Sequence, residues 1–170
     1  MTRSTKKAAL VSVAFSLMPI TVALLVPWWL TGLESGDALA SWWPLRAAGL
    51  LLFLPGLYVI AHAFRRFVVE GLGAPLPAAA PERLVVGGFY RYVRNPMYVA
   101  ILAMVLGEAL LLVRPVLLVY AAVVWIVPAA YVRWREEPVL LRRFGPEYER
   151  YRRAVPAWIP RLHPWHPGPT

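Results

Sequence analysis

Residues 97–132 read MYVAILAMVLGEALLLVRPVLLVYAAVVWIVPAAYV. Two apolar runs, 97–113 and 115–132, meet at Arg114-Pro115. A joint this short leaves room only for an antiparallel helical hairpin. The runs hold 17 and 18 residues, at the short end of the ~20 that cross a bilayer as a helix. Glu108 lies inside the first run, where a charge is costly. Such a residue is functional by default; beside that stand two simpler readings, a neutral carboxyl or one reaching the outer interface near Arg114.

Two further apolar runs precede the hairpin. The first, 8–30, is uncharged and follows Arg3, Lys6 and Lys7. It is long for a signal peptide, and Pro27-Trp28-Trp29 is a poor cleavage site, so a retained span is expected, with both Trp at the interface. The second, 43–64, opens on Trp42-Trp43, with Arg46 able to snorkel out near that end. Pro55-Gly56 predicts a kink at its middle, and His62 reads as an interfacial residue near its far end. The 170 residues are 59% hydrophobic and 16% charged, with mean hydropathy +0.55. Soluble domains carry about 25% charge, so this composition argues against a water-soluble monomer and excludes disorder. The chain has no Cys, which removes disulfides, thiolate metal sites and Cys nucleophiles.

The net charge is +9. Such a balance raises nucleic acid as a partner, but in an apolar chain the bases report topology. With the N-terminus in the cytoplasm, all bases but Arg46 and Arg114 fall inside, while the outer loop 31–41 carries Glu34 and Asp37 and no base. The expected fold is therefore all-α: an integral membrane helical bundle of about four spans, with both termini cytoplasmic and the whole chain, 1–170, one membrane domain. Bases that are sixteen Arg and two Lys, beside many Gly and Pro, point to a high-GC bacterial source and hence to an inner membrane.

Two polar segments share the cytoplasmic side. In the first, 71–81 is a Gly-, Pro- and Ala-rich connector. Gly87-Gly88 then permits a turn with positive φ or a close backbone approach, and Asn95-Pro96 supplies an N-cap and first-turn proline for the third span. In the second, 133–144 continues the fourth span, with a bend expected at Pro138. Gly145-Pro146 ends one helix and starts another. The latter carries Tyr148, Tyr151 and Val155 on one face and Glu149, Arg150, Arg152 and Arg153 on the other, the pattern of a basic amphipathic helix on anionic lipid. The Pro- and Trp-rich tail is expected to be irregular.

Chemistry has few places to sit. Three His, two of them in the tail, give poor support to a Ser-His-Asp site and none to a metal cluster, and no Walker motif or GxGxxG occurs. Glu136 and Glu137, among Arg133, Arg135 and Arg142, are the informative pair. Arg133 and Glu137 are spaced for an i,i+4 ion pair; alternatively one carboxylate faces inward to a polar ligand.

The order Tyr90-Arg91-Tyr92-Val93-Arg94-Asn95-Pro96-Met97-Tyr98, a two-span hairpin, Arg133-Trp134-Arg135-Glu136-Glu137, then Phe144-Gly145-Pro146-Glu147-Tyr148-Glu149-Arg150-Tyr151 and Val155-Pro156 resembles the isoprenylcysteine carboxyl methyltransferases and the related phospholipid methyltransferases. The likeness covers about 84–160. It implies a membrane enzyme using S-adenosylmethionine, whose cofactor pocket takes in Arg94, Asn95, Pro96, Tyr98, Glu136 and Glu137, with Gly88 and Tyr90 in the neighbouring turn. Glu137 and Arg153 are the expected catalytic residues, and no metal is implied. Asn95 replaces the family's His: it keeps a donor and an acceptor but cannot titrate. Ala154 stands where the family often has a base that holds substrate, with Arg152 and Arg153 beside it.

The expected activity is methylation of a lipidic or isoprenoid acceptor at the cytoplasmic face, with a prenyl-cysteine-like carboxylate favoured. The partners implied are the bilayer and a lipid substrate, not nucleic acid. A phospholipid amine N-methyltransferase, a non-enzymatic scaffold and a sterol-reductase-like oxidoreductase are the alternatives.

Overall fold

Every apolar stretch forms a helix where the structure, a computed structural model, describes it; the described residues are 17–35, 43–70 and 84–166. We number the helices α1, Leu17–Thr31; α2, Trp43–Glu70; α3, Pro96–Leu112; α4, Pro115–Phe144; and α5, Pro146–Ala154. A short 3-10 turn, Gly88–Arg91, precedes α3. No strand occurs among the described residues. Residues 8–16 of the first expected span and the connector 71–81 lie outside them.

Two helical segments, Trp43–Ala63 and Pro115–Phe144, are long and apolar enough to cross a membrane; α1 as described and α3 are shorter. Only 17% and 22% of the most apolar stretches of the two long ones are buried inside the protein. A core helix of a soluble protein would be mostly buried. Here Leu51, Leu54 and Tyr58 on α2 and Val119, Ile126 and Val127 on α4 stand exposed, an apolar surface that suits lipid.

Lipid gives little hydrophobic drive for helix to meet helix, so close packing must do it. α2 and α3 meet through small residues at heptad spacing. A Cβ built on Gly49 would lie 2.8 Å from the Gly107 carbonyl, and one on Gly56 would lie 2.7 Å from the Ala100 carbonyl. Gly49 opposite Gly107 and Gly56 opposite Ala100 fix an antiparallel register. α2 runs unbroken through Pro55-Gly56, and Gly56 serves this close approach. Ala23, Ile60, Ala100, Ile101, Met104 and Val124 draw all four apolar helices into one core.

The hairpin turns where the sequence predicts. Val113 takes a left-handed conformation (φ 53°), and the Val113 and Arg114 N–H groups both donate to Ala109 O. A β-branched residue is strained there, and Gly is the usual solution. Val113→Gly is therefore expected to stabilise the protein by about 1 kcal/mol, read as a raised melting temperature in detergent; a lowered one contradicts the strain. Arg114 Nε donates to Glu34 O at 3.0 Å and its guanidinium lies 3.6 Å from the Glu34 carboxylate. The α1 end and the hairpin tip thus share one end of the bundle.

Two prolines are absorbed in the same way. Pro27 and Pro138 lack an N–H, and in a regular helix their rings clash with the carbonyl four residues back. Each sits two residues beyond a wide π turn, Thr21–Leu25 and Val132–Glu136, in which Val26 N–H reaches Thr21 O and Glu137 N–H reaches Val132 O. A π turn holds one extra residue and so rotates the rest of the helix by ~100°. Along α4 the buried positions are Leu117, Ala121, Val124 and Val132, and the next is Glu137, five residues on. The bend expected at Pro138 is this widened turn, and it decides which acidic residue faces inward.

At the other end of the bundle lies a polar cap. Gly145 (φ 50°) stops α4, its N–H bonded to Leu141 O, and Pro146 opens α5, as the sequence predicts. The apolar face of α5 does not lie on lipid. Tyr148, Tyr151 and Val155 are buried against Leu84, Val86, Leu140, Phe144 and Trp165, because the protein itself covers that face. The tail beyond α5 is irregular but fixed. Arg94 N–H donates to Pro156 O, Arg161 N–H to Tyr92 O and Trp165 N–H to Arg91 O, at 2.9–3.0 Å. Residues 156–166 form a strap along the segment that leads into α3.

Candidate functional site

Three pieces of chain converge under the strap: the approach to α3, the end of α4 and α5. Between them is a cavity of about 360 Å³, lined by Arg94, Ala129, Val132, Arg133, Glu137, Arg152, Ala157 and Trp158. That is the low end of the range for small-molecule sites.

Glu137 is its centre. Arg94 Nη1 donates to Glu137 Oε1 at 2.6 Å. Both side chains are nearly buried, 12% and 10% exposed, so this is a strong charge-assisted bond. The same Nη1 donates to the Tyr148 hydroxyl at 3.1 Å, and Arg94 Nε donates to Val155 O at 3.0 Å. Arg94 thus ties α3, α4, α5 and the strap together. Arg133 and Arg152 each place an Nη1 3.6 Å from Glu137 Oε2, and Arg152 also pairs with Glu149. The expected i,i+4 ion pair between Arg133 and Glu137 exists, and the Glu137 carboxylate faces inward. Three guanidiniums and one carboxylate line the cavity, a surplus of two positive charges.

The neighbouring residues brace this arrangement. The Tyr98 hydroxyl donates to Glu136 Oε1 at 3.1 Å, which positions the other acid against α3. Asn95 occupies the N-cap position of α3, but its side chain makes no capping bond. Its Nδ2 instead donates to Ala157 O at 3.1 Å, pinning the strap. Only a donor is needed there, so the loss of a titrating ring costs this contact nothing. The Tyr151 hydroxyl donates to Tyr90 O at 2.7 Å. Burial pushes the Tyr151 phenol well above its usual range, and it raises that of Tyr148 too, partly countered by Arg94. Both stay neutral at any working pH, Tyr151 as a donor to Tyr90 O and Tyr148 as an acceptor from Arg94. Phe89 meets His62 and Tyr58 edge-on, at 5.3 and 6.2 Å between ring centres, which holds the 3-10 turn against α2.

Of the residues expected at the site, Arg94 and Glu137 line the cavity. Asn95, Pro96, Tyr98 and Glu136 form the structure around it. Gly88 is exposed with φ 59° in the 3-10 turn, and Tyr90 contributes its carbonyl there. Arg153 lies away from the cavity: it is exposed, and its Nε donates to Glu149 Oε1 at 3.1 Å. Arg152, one position earlier, faces inward. Trp158 and Ala157 were not expected. The tail carries no periodic signal from which they could be found. Among the described residues no cluster of His, Asp and Glu suits a metal.

The family model for phospholipid methyltransferases matches residues 45–147, from α2 to the start of α5. A protein-S-isoprenylcysteine O-methyltransferase of Schizosaccharomyces pombe (strain 972 / ATCC 24843) is 40% identical over 80 residues, 46% of this chain. The matched part is 34% of that protein, so the chain spans about a third of its length. No solved structure matches. With a model that covers more than half of its residues, three bundle helices and the acidic pair among them, this chain belongs to the phospholipid methyltransferase family.

Proposed function

We propose that the protein methylates the carboxylate of a lipidic, prenyl-cysteine-like acceptor, with S-adenosylmethionine as methyl donor, at the cytoplasmic membrane face. The observation that carries this reading is the guanidinium surplus around the cavity. The residues present fit the donor. Trp158 with Ala129 and Val132 offers an aromatic and aliphatic wall for an adenine, guanidiniums suit the amino-acid carboxylate, and Glu137 suits an ammonium or ribose hydroxyls. When bound, S-adenosylmethionine supplies a methyl group on a sulfonium, open to in-line displacement.

The protein's part is positioning, which such a displacement needs more than proton transfer. Arg94 holds Glu137 inward. Arg133, exposed and only 3.6 Å from Glu137, is free to turn toward an acceptor carboxylate, and Arg152, which lines the cavity, takes the place of Arg153, the expected catalytic residue. A carboxylate acceptor needs no base, in keeping with Asn95, which cannot supply one. Four spans with both termini cytoplasmic follow from the base asymmetry. The Glu34–Arg114 contact, at the end of the bundle away from Arg94 and Glu137, keeps the two expected outer loops together on one side.

The test is methyl-labelled S-adenosylmethionine with the reconstituted protein and three acceptors: a farnesylated cysteine, its carboxamide, and phosphatidylethanolamine. The expected result is a base-labile ester on the free carboxylate alone. Base-stable label on the amine lipid contradicts it. Arg133→Ala is expected to raise the acceptor KM about tenfold with the fold intact, the cost of one charged hydrogen bond.

A further inference from the structure

The strap 156–166 is held at both ends, by Arg94 N–H on Pro156 O and by Arg91 Nε on Trp165 O at 2.8 Å. Its depth is set by Trp158, whose ring centre lies 6.4 Å from that of Tyr98 and which lines the cavity with Ala129 and Val132. Tyr98 stands in the first turn of α3, and Ala129 lies within the apolar part of α4. Trp158 therefore sits at the level where the apolar helices begin, not out in the solvent beyond them. Ile159 and Leu162, just past it, are 78% and 91% exposed. Two large apolar side chains held outward on a fixed strap cover nothing in the protein.

Their surroundings say what they face. On the part of α4 next to Trp158, Val127, Tyr131 and Trp134 are exposed too, so the strap and that helix both present apolar side chains at this level. Arg133, beside Trp158 at the cavity, is exposed. The cap as a whole, residues 91–95 and 133–166, carries ten Arg against four Glu. Apolar side chains at interfacial depth within a cationic rim match an anionic leaflet, where bases bind phosphates and the apolar tips enter the acyl boundary.

We propose that the strap is an interfacial anchor. Ile159 and Leu162 insert into an anionic leaflet, the Arg residues of the cap meet its phosphates, and the cavity mouth beside Trp158 is thereby held at the bilayer surface. The inference rests on reading the apolar helices as membrane spans and is independent of the methyl-transfer reading.

The chain has no Cys, so Leu162→Cys, Ile159→Cys and Val127→Cys each take a single bimane label. The labelled proteins are reconstituted in phosphatidylcholine vesicles with and without phosphatidylglycerol (~30%, enough to set up the surface potential). Quenching is read with shallow nitroxide lipids and with aqueous iodide. The expected result is at least twofold quenching of both strap labels by the nitroxide in anionic vesicles, with shielding from iodide and weaker effects in neutral ones. Full iodide access without nitroxide quenching overturns the anchor and leaves the surface to water or a protein partner. Equal quenching in neutral vesicles overturns the role given to the basic rim of the cap. Quenching absent at Val127 overturns the membrane reading itself, a separate failure from loss at the strap alone.

Discussion

Glu137→Ala is expected to destabilise the folded protein by about 3 kcal/mol and to abolish cofactor binding. The stability loss comes from the charge the substitution leaves behind. Arg94 is 12% exposed and bonded to Glu137 at 2.6 Å; without the carboxylate it stays buried, with the neutral Tyr148 hydroxyl and Val155 carbonyl as its acceptors. Removing one partner of a buried pair costs far more than the pair contributes, whereas replacing both by apolar groups is often neutral. The double variant Arg94→Met/Glu137→Leu is therefore expected to unfold at a denaturant midpoint close to the wild type's. Each single variant falls well below it. A double variant no more stable than Glu137→Ala would contradict this electrostatic account.

Gly107→Leu is expected to cost about 3 kcal/mol or more, the upper end for overpacking. A Cβ there would lie 2.7 Å from Gly49 O and 2.9 Å from Phe53 N. Both are backbone atoms that cannot swing aside, so α2 and α3 must separate along the whole Gly49–Gly56 seam. Size-exclusion profiles in mild detergent should show loss of the folded species. Gly32→Ala gives the contrast. The nearest atom is Glu34 Cγ at 3.9 Å, an ordinary contact, and only the left-handed conformation (φ 61°, ψ 11°) is lost, at about 1 kcal/mol. A Gly107→Leu protein as stable as Gly32→Ala would sink the close-packed seam.

The signals legible in the sequence were local. Apolar runs marked four helices, Arg114-Pro115 marked the hairpin, and Gly145-Pro146 marked the break before α5, because each signal acts within a few residues. The choice between the two acids was not legible. Helical periodicity alone leaves Glu136 and Glu137 equivalent, and the π turn ahead of Pro138 turns Glu137 inward. The same limit explains why Arg152 rather than Arg153 faces the cavity. The strap has no local signature because its order comes from backbone bonds to residues some 60 or more positions earlier, such as Arg94 N–H to Pro156 O, which no periodicity records. Asn95 does stand at the head of α3, yet its side chain serves the strap rather than the helix.

The most direct test of the site is calorimetric titration with S-adenosylhomocysteine of the detergent-purified wild type and of the Arg94→Met/Glu137→Leu protein. The account predicts saturable one-site binding by the wild type and none by the equally folded double variant. A folded wild type that takes up no ligand, or a double variant that binds as tightly, would contradict it.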